Sequence, residues 1–236
     1  MRESSNFAPK TFALFFLGIF LRATLLNKHL WNTVSKVSEV IRLTQLVINI
    51  NPEIMIKNTR ESVLGEVIKQ LPNNYSIFEF GVAHGHLTRY LFSIENYNKN
   101  YKIISYHGFD TFEGLPQTWR EHGVGAFSNQ GKTPTISDTR INWHVGLIDS
   151  NFDIDFLLNQ KIENCLYIFD LDLLEPTKNA LEAIYSHLKE CDVVYFDEAF
   201  VRDEFYLIEN FLLEKCVVEV IASSWTSVAF KFLSFK

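Results

Sequence analysis

Glu79-Phe80-Gly81-Val82-Ala83-His84-Gly85-His86-Leu87-Thr88 closes the apolar run YSIFEF (Tyr75–Phe80) and opens an amphipathic stretch from about His86 to Phe92. A short β-rich run, a glycine-punctuated turn and a helical period in immediate succession predict strand, turn and helix. Gly81 and Gly85 let the backbone turn tightly and approach a ligand, and the helix that follows presents unpaired N–H groups. A turn built for a pyrophosphate normally carries G-x-G-x-x-G. Here the spacing is E-x-G-x-x-x-G, with a carboxylate, Glu79, at its head.

The same alternation continues toward the C-terminus. Short apolar runs (YKIISYHGF, INWHV, CLYIFD, CDVVYFD) alternate with helical stretches from Pro176 to Leu188 and from Arg202 to Leu213. This pattern predicts a parallel sheet flanked by helices. The last runs, CVVEVIAS and SVAFKFLS, lie only a few residues apart around Ser224-Trp225-Thr226, too close for a helical crossover, so an antiparallel hairpin is expected at the sheet edge. The fold class is therefore α/β: a Rossmann-like, seven-stranded sheet of the class I methyltransferase pattern, five parallel strands plus a C-terminal hairpin.

Upstream, Val34, Val37, Ile41, Val63, Val67 and Leu71 fall at helical spacing, and Asn51-Pro52 supplies a cap and first-turn proline between two helices. Residues 1–72 are expected to be an N-terminal helical extension and 73–236 the main domain; a chain of 236 residues suits one large domain better than two. Phe12 to Leu26 is apolar but interrupted at Arg22, short of a membrane span and without a cleavage site. An interfacial membrane helix, or a helix buried against the domain or a second subunit, is expected there. A net charge of −6 gives no electrostatic footprint for nucleic acid. Cys165, Cys191 and Cys216, unpaired in number and without CxxC spacing, suit a reducing, cytoplasmic setting with or without membrane association.

In an open α/β sheet, ligands bind beyond the carboxyl ends of the strands where strand order reverses. Acids stand at those ends. Asp110 closes the second strand, where a carboxylate can accept both hydroxyls of a ribose. Thr111 lies beside it, and Asp149, past INWHVGL, is a candidate for an adenine-side contact or a solvated loop acid. With a carboxylate in place of a phosphate-binding turn, the expected cofactor is S-adenosylmethionine (SAM), whose ammonium and sulfonium are cationic. Glu79, Gly81, Ala83, His84, Gly85, Asp110, Thr111 and Asp149 form the expected cofactor set. Asp170, with Asp172 two residues on, and Asp197-Glu198 end two further strands. Carboxylates so gathered repel unless a proton or cation intervenes, and Mg²⁺ is one resolution; the other is that Asp172 caps the next helix and Glu198 faces solvent.

GFDTFEGLP (Gly108–Pro116), together with EFGVAHGHLT, FDLDLLEPT and VVYFDE, resembles the macrocin O-methyltransferase (TylF-like) family over roughly Ile77 to Phe232. The resemblance implies a SAM-dependent O-methyltransferase acting on a hydroxyl of a sugar or glycosylated natural product. It implies that Glu79, Gly81 and Gly85 line the SAM site, that Asp110 binds the ribose, and that Asp170, Asp197 and Glu198 hold a magnesium ion. Three positions depart from the family pattern: Ala83 replaces a second glycine, Glu198 the commoner aspartate, and Leu171 to Leu174 lack the glycine and tyrosine of DGDLY. Asp170 and His122 are the expected catalytic residues, the latter as a base in a lid from Trp119 to Lys132. The expected partners are a small-molecule or glycan acceptor and a second copy of the chain. Two alternatives remain: a metal-dependent glycosyltransferase using Asp170-x-Asp172, and a non-catalytic scaffold with a methyltransferase-like fold.

Overall fold

The computed structural model describes residues 28–71, 74–97, 101–158 and 164–236, and the apolar segment from Phe12 to Leu26 lies outside them. Two compact units are present, 1–41 and 42–236. Helix α1 (Lys28–Ile50) begins in the first unit and ends in the second. Among the described residues no helix is long and apolar enough to cross a membrane.

The second unit takes in more than the expected domain. After α1 the chain forms a two-residue strand, β1 (Ile56–Lys57), and then α2 (Arg60–Gln70). Asn51 does not cap a following helix: its side chain accepts from the Glu53 amide and donates to the Val220 carbonyl, and the cap of α2 is Thr59. The remaining elements are β2 (Asn74–Phe80), α3 (His86–Tyr97), β3 (Lys102–Asp110), β4 (Ile141–Val145), α4 (Asp155–Leu158), β5 (Cys165–Phe169), α5 (Leu174–Tyr185), β6 (Val193–Phe196) and α6 (Arg202–Leu207). A π-helical turn (Ile208–Leu212) and α7 (Leu213–Lys215) lead into β7 (Cys216–Ser224) and β8 (Val228–Phe235).

The eight strands are ordered β1-β7-β8-β6-β5-β2-β3-β4. β2 through β6 pair in parallel, as expected, and β7 and β8 form the antiparallel hairpin. Two details differ from expectation. β8 inserts between β6 and β7, pairing antiparallel with both, so β7 runs parallel to the five and only β8 runs against them. The eighth strand is β1, which pairs with the end of β7 through Ile56–Ser223 and Lys57–Ser224.

Strand alternation sends two different cores to the two sheet faces. One holds Ile77, Ile103, Leu166, Ile168, Val193 and Ala229 against Val63, Leu64 and Val67 of α2 and Leu87 and Leu91 of α3. The other carries a row of rings, Phe109, Phe80, Phe169 and Phe196, each about 5.1 Å from the next across adjacent strands. Four of the chain's 21 phenylalanines form this row, where each buried ring contributes roughly 1.5–3 kcal/mol. Cys165 and Cys216 are buried, Cys191 is half-buried, and all three are free thiols.

Candidate active site

β3 and β4 lie on one side of β2, β5 and β6 on the other, so the order reverses between β2 and β5. Beyond the carboxyl ends of those strands is a cleft of about 470 Å³. Its walls come from the turn after β2 (Gly81 to His84), the end of β3 (Asp110, Thr111), the loop Gly114 to Phe127, Gly146 to Ile148 after β4, Asp170 to Leu173, and Asp197-Glu198.

The turn after β2 is fixed by close packing and by Asp110. Gly81 has φ +88°, and a Cβ there would lie 1.8 Å from the Asp170 carbonyl oxygen. Only glycine fits both conditions. Gly85 has φ +71°, and Ala83 adopts φ +47° where the family pattern has glycine. Asp110 Oδ2 accepts the amides of Val82 at 2.8 Å and Ala83 at 2.7 Å, while Oδ1 accepts the Phe112 amide at 2.7 Å. Each carboxylate oxygen has two in-plane acceptor positions. Oδ2 is therefore filled, and one position on Oδ1 remains for a ligand hydroxyl. The bidentate use of Asp110 expected from the sequence is replaced by a clamp on the turn with a single free acceptor.

Glu79 is buried beneath the turn. Its Oε2 accepts the Thr88 hydroxyl at 3.0 Å, and Thr88 in turn lies 2.9 Å from the Tyr106 hydroxyl. Burial pushes the Glu79 pKa well above the usual carboxylate range, and the nearby Asp110 charge adds to that against the opposing Thr88 bond. His84 is exposed at the rim with Nδ1 3.3 Å from Asn129 Oδ1. Thr111 also lines the cleft, its Oγ1 accepting the Glu113 amide at 3.1 Å. Asp149 is exposed, accepts the Asn151 amide in its own turn and is not part of the wall; Gly146, Leu147 and Ile148 line that side instead.

The loop expected to form a lid packs over the cleft. Leu115 and Ala126 are joined by a backbone bond, as are Asn129 and Gly131 to the Phe112 carbonyl. Trp119 and His122 exchange two backbone bonds of 2.8–2.9 Å and stack with ring centroids 5.6 Å apart; the Phe127 ring lies 4.8 Å from His122, tilted by 51°. His122 is thus a wall residue held against two aromatic rings.

At the opposite end, Asp170, Asp172, Asp197 and Glu198 all line the cleft. Burial, reinforced by Asp197, raises Asp172 to about 6, and burial with Asp172 and Asp197 raises Glu198 to about 7. Burial also raises Asp170 and the neighbouring Glu204. Asp172 has φ +63° and does not cap α5, whose N-cap is Leu173 without a side-chain bond. Sequence reasoning missed Arg60, the first residue of α2. Its Nη1 lies 2.9 Å from Asp197 Oδ2 and 3.5 Å from Asp170 Oδ2. Asp197 Oδ1 meanwhile accepts the Tyr195 hydroxyl at 2.6 Å. With Arg60 between the two aspartates, the magnesium expected at Asp170, Asp197 and Glu198 has no cage in this arrangement. Among the described residues no three His, Cys, Asp or Glu side chains converge as metal ligands.

No family model and no curated protein matches the chain. Solved structures do. The calicheamicin methyltransferase CalS11 superposes with a TM-score of 0.53 at 20% identity, covering 83% of this chain and 91% of that one. The O-methyltransferase NovP gives a TM-score of 0.49 at 15% identity, covering 73% of this chain and 77% of that one. Together with the antiparallel strand held between two parallel ones, the CalS11 superposition shows that this chain has the class I methyltransferase fold.

Proposed function

We propose that the chain is a SAM-dependent O-methyltransferase that modifies a hydroxyl of a sugar or glycosylated natural product. The observation that carries the reading is the crevice at the strand-order reversal, where Asp110 clamps a glycine turn above the buried carboxylate of Glu79. The residues suit the cofactor. Glu79 offers a negative group to an ammonium, Asp110 Oδ1 one acceptor to a ribose hydroxyl, and Leu147 and Ile148 apolar surface to a base. When bound, SAM supplies an electrophilic methyl group for in-line transfer to oxygen. The protein's share is alignment of the acceptor and removal of its proton. His122 is the proposed base, since it lines the cleft in contact with Trp119 and Phe127 and lies near enough to Asp172 to lower that acid's pKa. Asp170, tied to Arg60, is assigned to orienting the acceptor. Because Arg60 takes the place between the aspartates, no step is assigned to a metal.

The acceptor class comes from the family resemblance and from the fold shared with CalS11, a calicheamicin methyltransferase. A glycosyltransferase built on Asp170-x-Asp172 is disfavoured, because Asp170 is engaged by Arg60. Calorimetry with S-adenosylhomocysteine (SAH), followed by a screen of sugar acceptors with labelled SAM, tests the reading. Binding of SAH and labelling of a hydroxylated acceptor are expected, with His122→Gln losing about 10²-fold or more in turnover at unchanged SAH affinity. A chain that ignores SAH would sink it.

A further inference from the structure

Arg60 stands at a position that helix electrostatics disfavour. It is the first residue of α2, where the aligned peptide dipoles place a partial positive charge, so a guanidinium there needs compensation from elsewhere. β1 provides the means. Ile56 and Lys57 pair with Ser223 and Ser224 at the carboxyl end of β7, which delivers Arg60 to the sheet edge where Asp170 and Asp197 end β5 and β6. Thr59 caps the helix from the preceding position, accepting the Ser62 amide and fixing its first turn.

The geometry leaves little for another cation. Arg60 Nη1 reaches Asp197 Oδ2 at 2.9 Å and Asp170 Oδ2 at 3.5 Å, while Tyr195 donates to Asp197 Oδ1 at 2.6 Å. Each oxygen of Asp197 already carries one donor, and Oδ2 carries the guanidinium. Burial works against the Arg60 charge, but the two aspartates outweigh it and hold the guanidinium firmly protonated. A guanidinium is charged at every accessible pH and offers a planar fork of donors, so its one positive charge can be shared between two carboxylates without an ion drawn from solution. A divalent ion bridging the two aspartates at the same place would have to displace Arg60.

We propose that Arg60 is a resident cation of the acceptor end, bridging Asp170 and Asp197 in the place where the family resemblance implies magnesium, so that this chain works without a divalent ion. Arg60 acts as a positioning residue through Asp170 and Asp197. The bridge stands on its own geometry, and only its consequence for turnover rests on the methyltransferase reading.

Titration of the purified full-length chain with Mn²⁺, followed by electron paramagnetic resonance of the free ion, tests it directly. The wild type is expected to show no saturable site with a Kd below about 10⁻⁴ M, a bound weaker than the sensor class of protein calcium sites. Arg60→Ala, which frees the aspartates, is expected to bind Mn²⁺ at least about tenfold more tightly than wild type and to gain a Mn²⁺-dependent rise in melting temperature. Arg60→Lys keeps a cation and should remain Mn²⁺-silent. One stoichiometric Mn²⁺ per wild-type chain below that Kd would overturn the proposal, and so would equal Mn²⁺ affinity in wild type and Arg60→Ala. If Arg60→Ala fails to fold, the wild-type titration still decides. SAH calorimetry on the same samples separates the two readings: loss of SAH binding refutes the methyltransferase assignment, whereas stoichiometric Mn²⁺ with SAH still bound refutes only the Arg60 bridge.

Discussion

Glu79 is buried with a hydroxyl as its hydrogen-bond donor, so its ionised form is costly until a cation arrives. Its pKa is raised in the free protein, and a ligand ammonium would lower it. Binding near neutral pH should therefore release a proton. SAH calorimetry in buffers of different ionisation enthalpy measures this: the observed heats should differ in the direction of proton release, and identical heats would mean that Glu79 does not meet the ammonium. Gly81→Ala is the complementary change at the backbone, since the new methyl would fall 1.8 Å from the Asp170 carbonyl oxygen at a φ of +88°. SAH binding should be lost or weakened by at least about 10²-fold with the turn displaced; affinity within a few-fold of wild type would contradict the assigned packing. These two residues were legible in the sequence because a strand-ending acid and a turn glycine are local signals. The work of Asp110 was only half legible: its position at a strand end was evident, but its three amide partners come from a neighbouring turn and from its own loop, a matter of tertiary placement.

The element that most changed the reading is α2 with the short strand before it. A two-residue strand carries no periodicity, so Ile56–Lys57 was indistinguishable from linker, and the whole stretch to residue 72 read as a helical extension. In the fold it is the arm that brings Arg60 to the cleft. Thr59→Ala removes the acceptor for the Ser62 amide and should cost about 1 kcal/mol, typical of a lost N-cap. For a chain of this size that corresponds to a fall in melting temperature of roughly 2–4 °C, measurable by calorimetry, and an unchanged melting point would show that the cap is not in force. The C-terminal hairpin was legible from its short connection. The insertion of β8 between β6 and β7 was not, because a hairpin's own sequence fixes how its strands pair with each other, not which of them meets the sheet.

Over the whole molecule, the buried carboxylates, most of them at the carboxyl end of the sheet and Asp192 at the amino end, make stability depend on pH in an unusual sense. Asp172 near 6, Glu198 near 7 and Asp192 near 6, each raised chiefly by burial, hold protons in the folded chain that the unfolded chain has already released by about pH 5. Glu79, Asp170 and Glu204 are shifted in the same direction. Where the native state binds more protons than the unfolded one, stability falls as pH rises, so these groups destabilise the fold progressively from about pH 4.5 to 7 and beyond. His107, driven down to about 4 by burial beside His144, and His144 itself act oppositely, since they bind fewer protons folded than unfolded and favour the fold as pH rises through about 4 to 6.5. The ordinary ion-paired acids, Glu61, Glu66 and Asp138, are shifted down and lose their contribution only below about pH 4.5. Six raised carboxylates against two histidines leave the acids dominant, and they reach to higher pH than the histidines do. The melting temperature of the ligand-free chain should therefore be higher at about pH 6 than at about pH 8, and the difference should shrink when SAH supplies its ammonium beside Glu79. Thermal scans across that range with and without SAH decide the matter: a melting point that climbs from pH 6 to 8 would mean that the cleft acids are already compensated in the free protein.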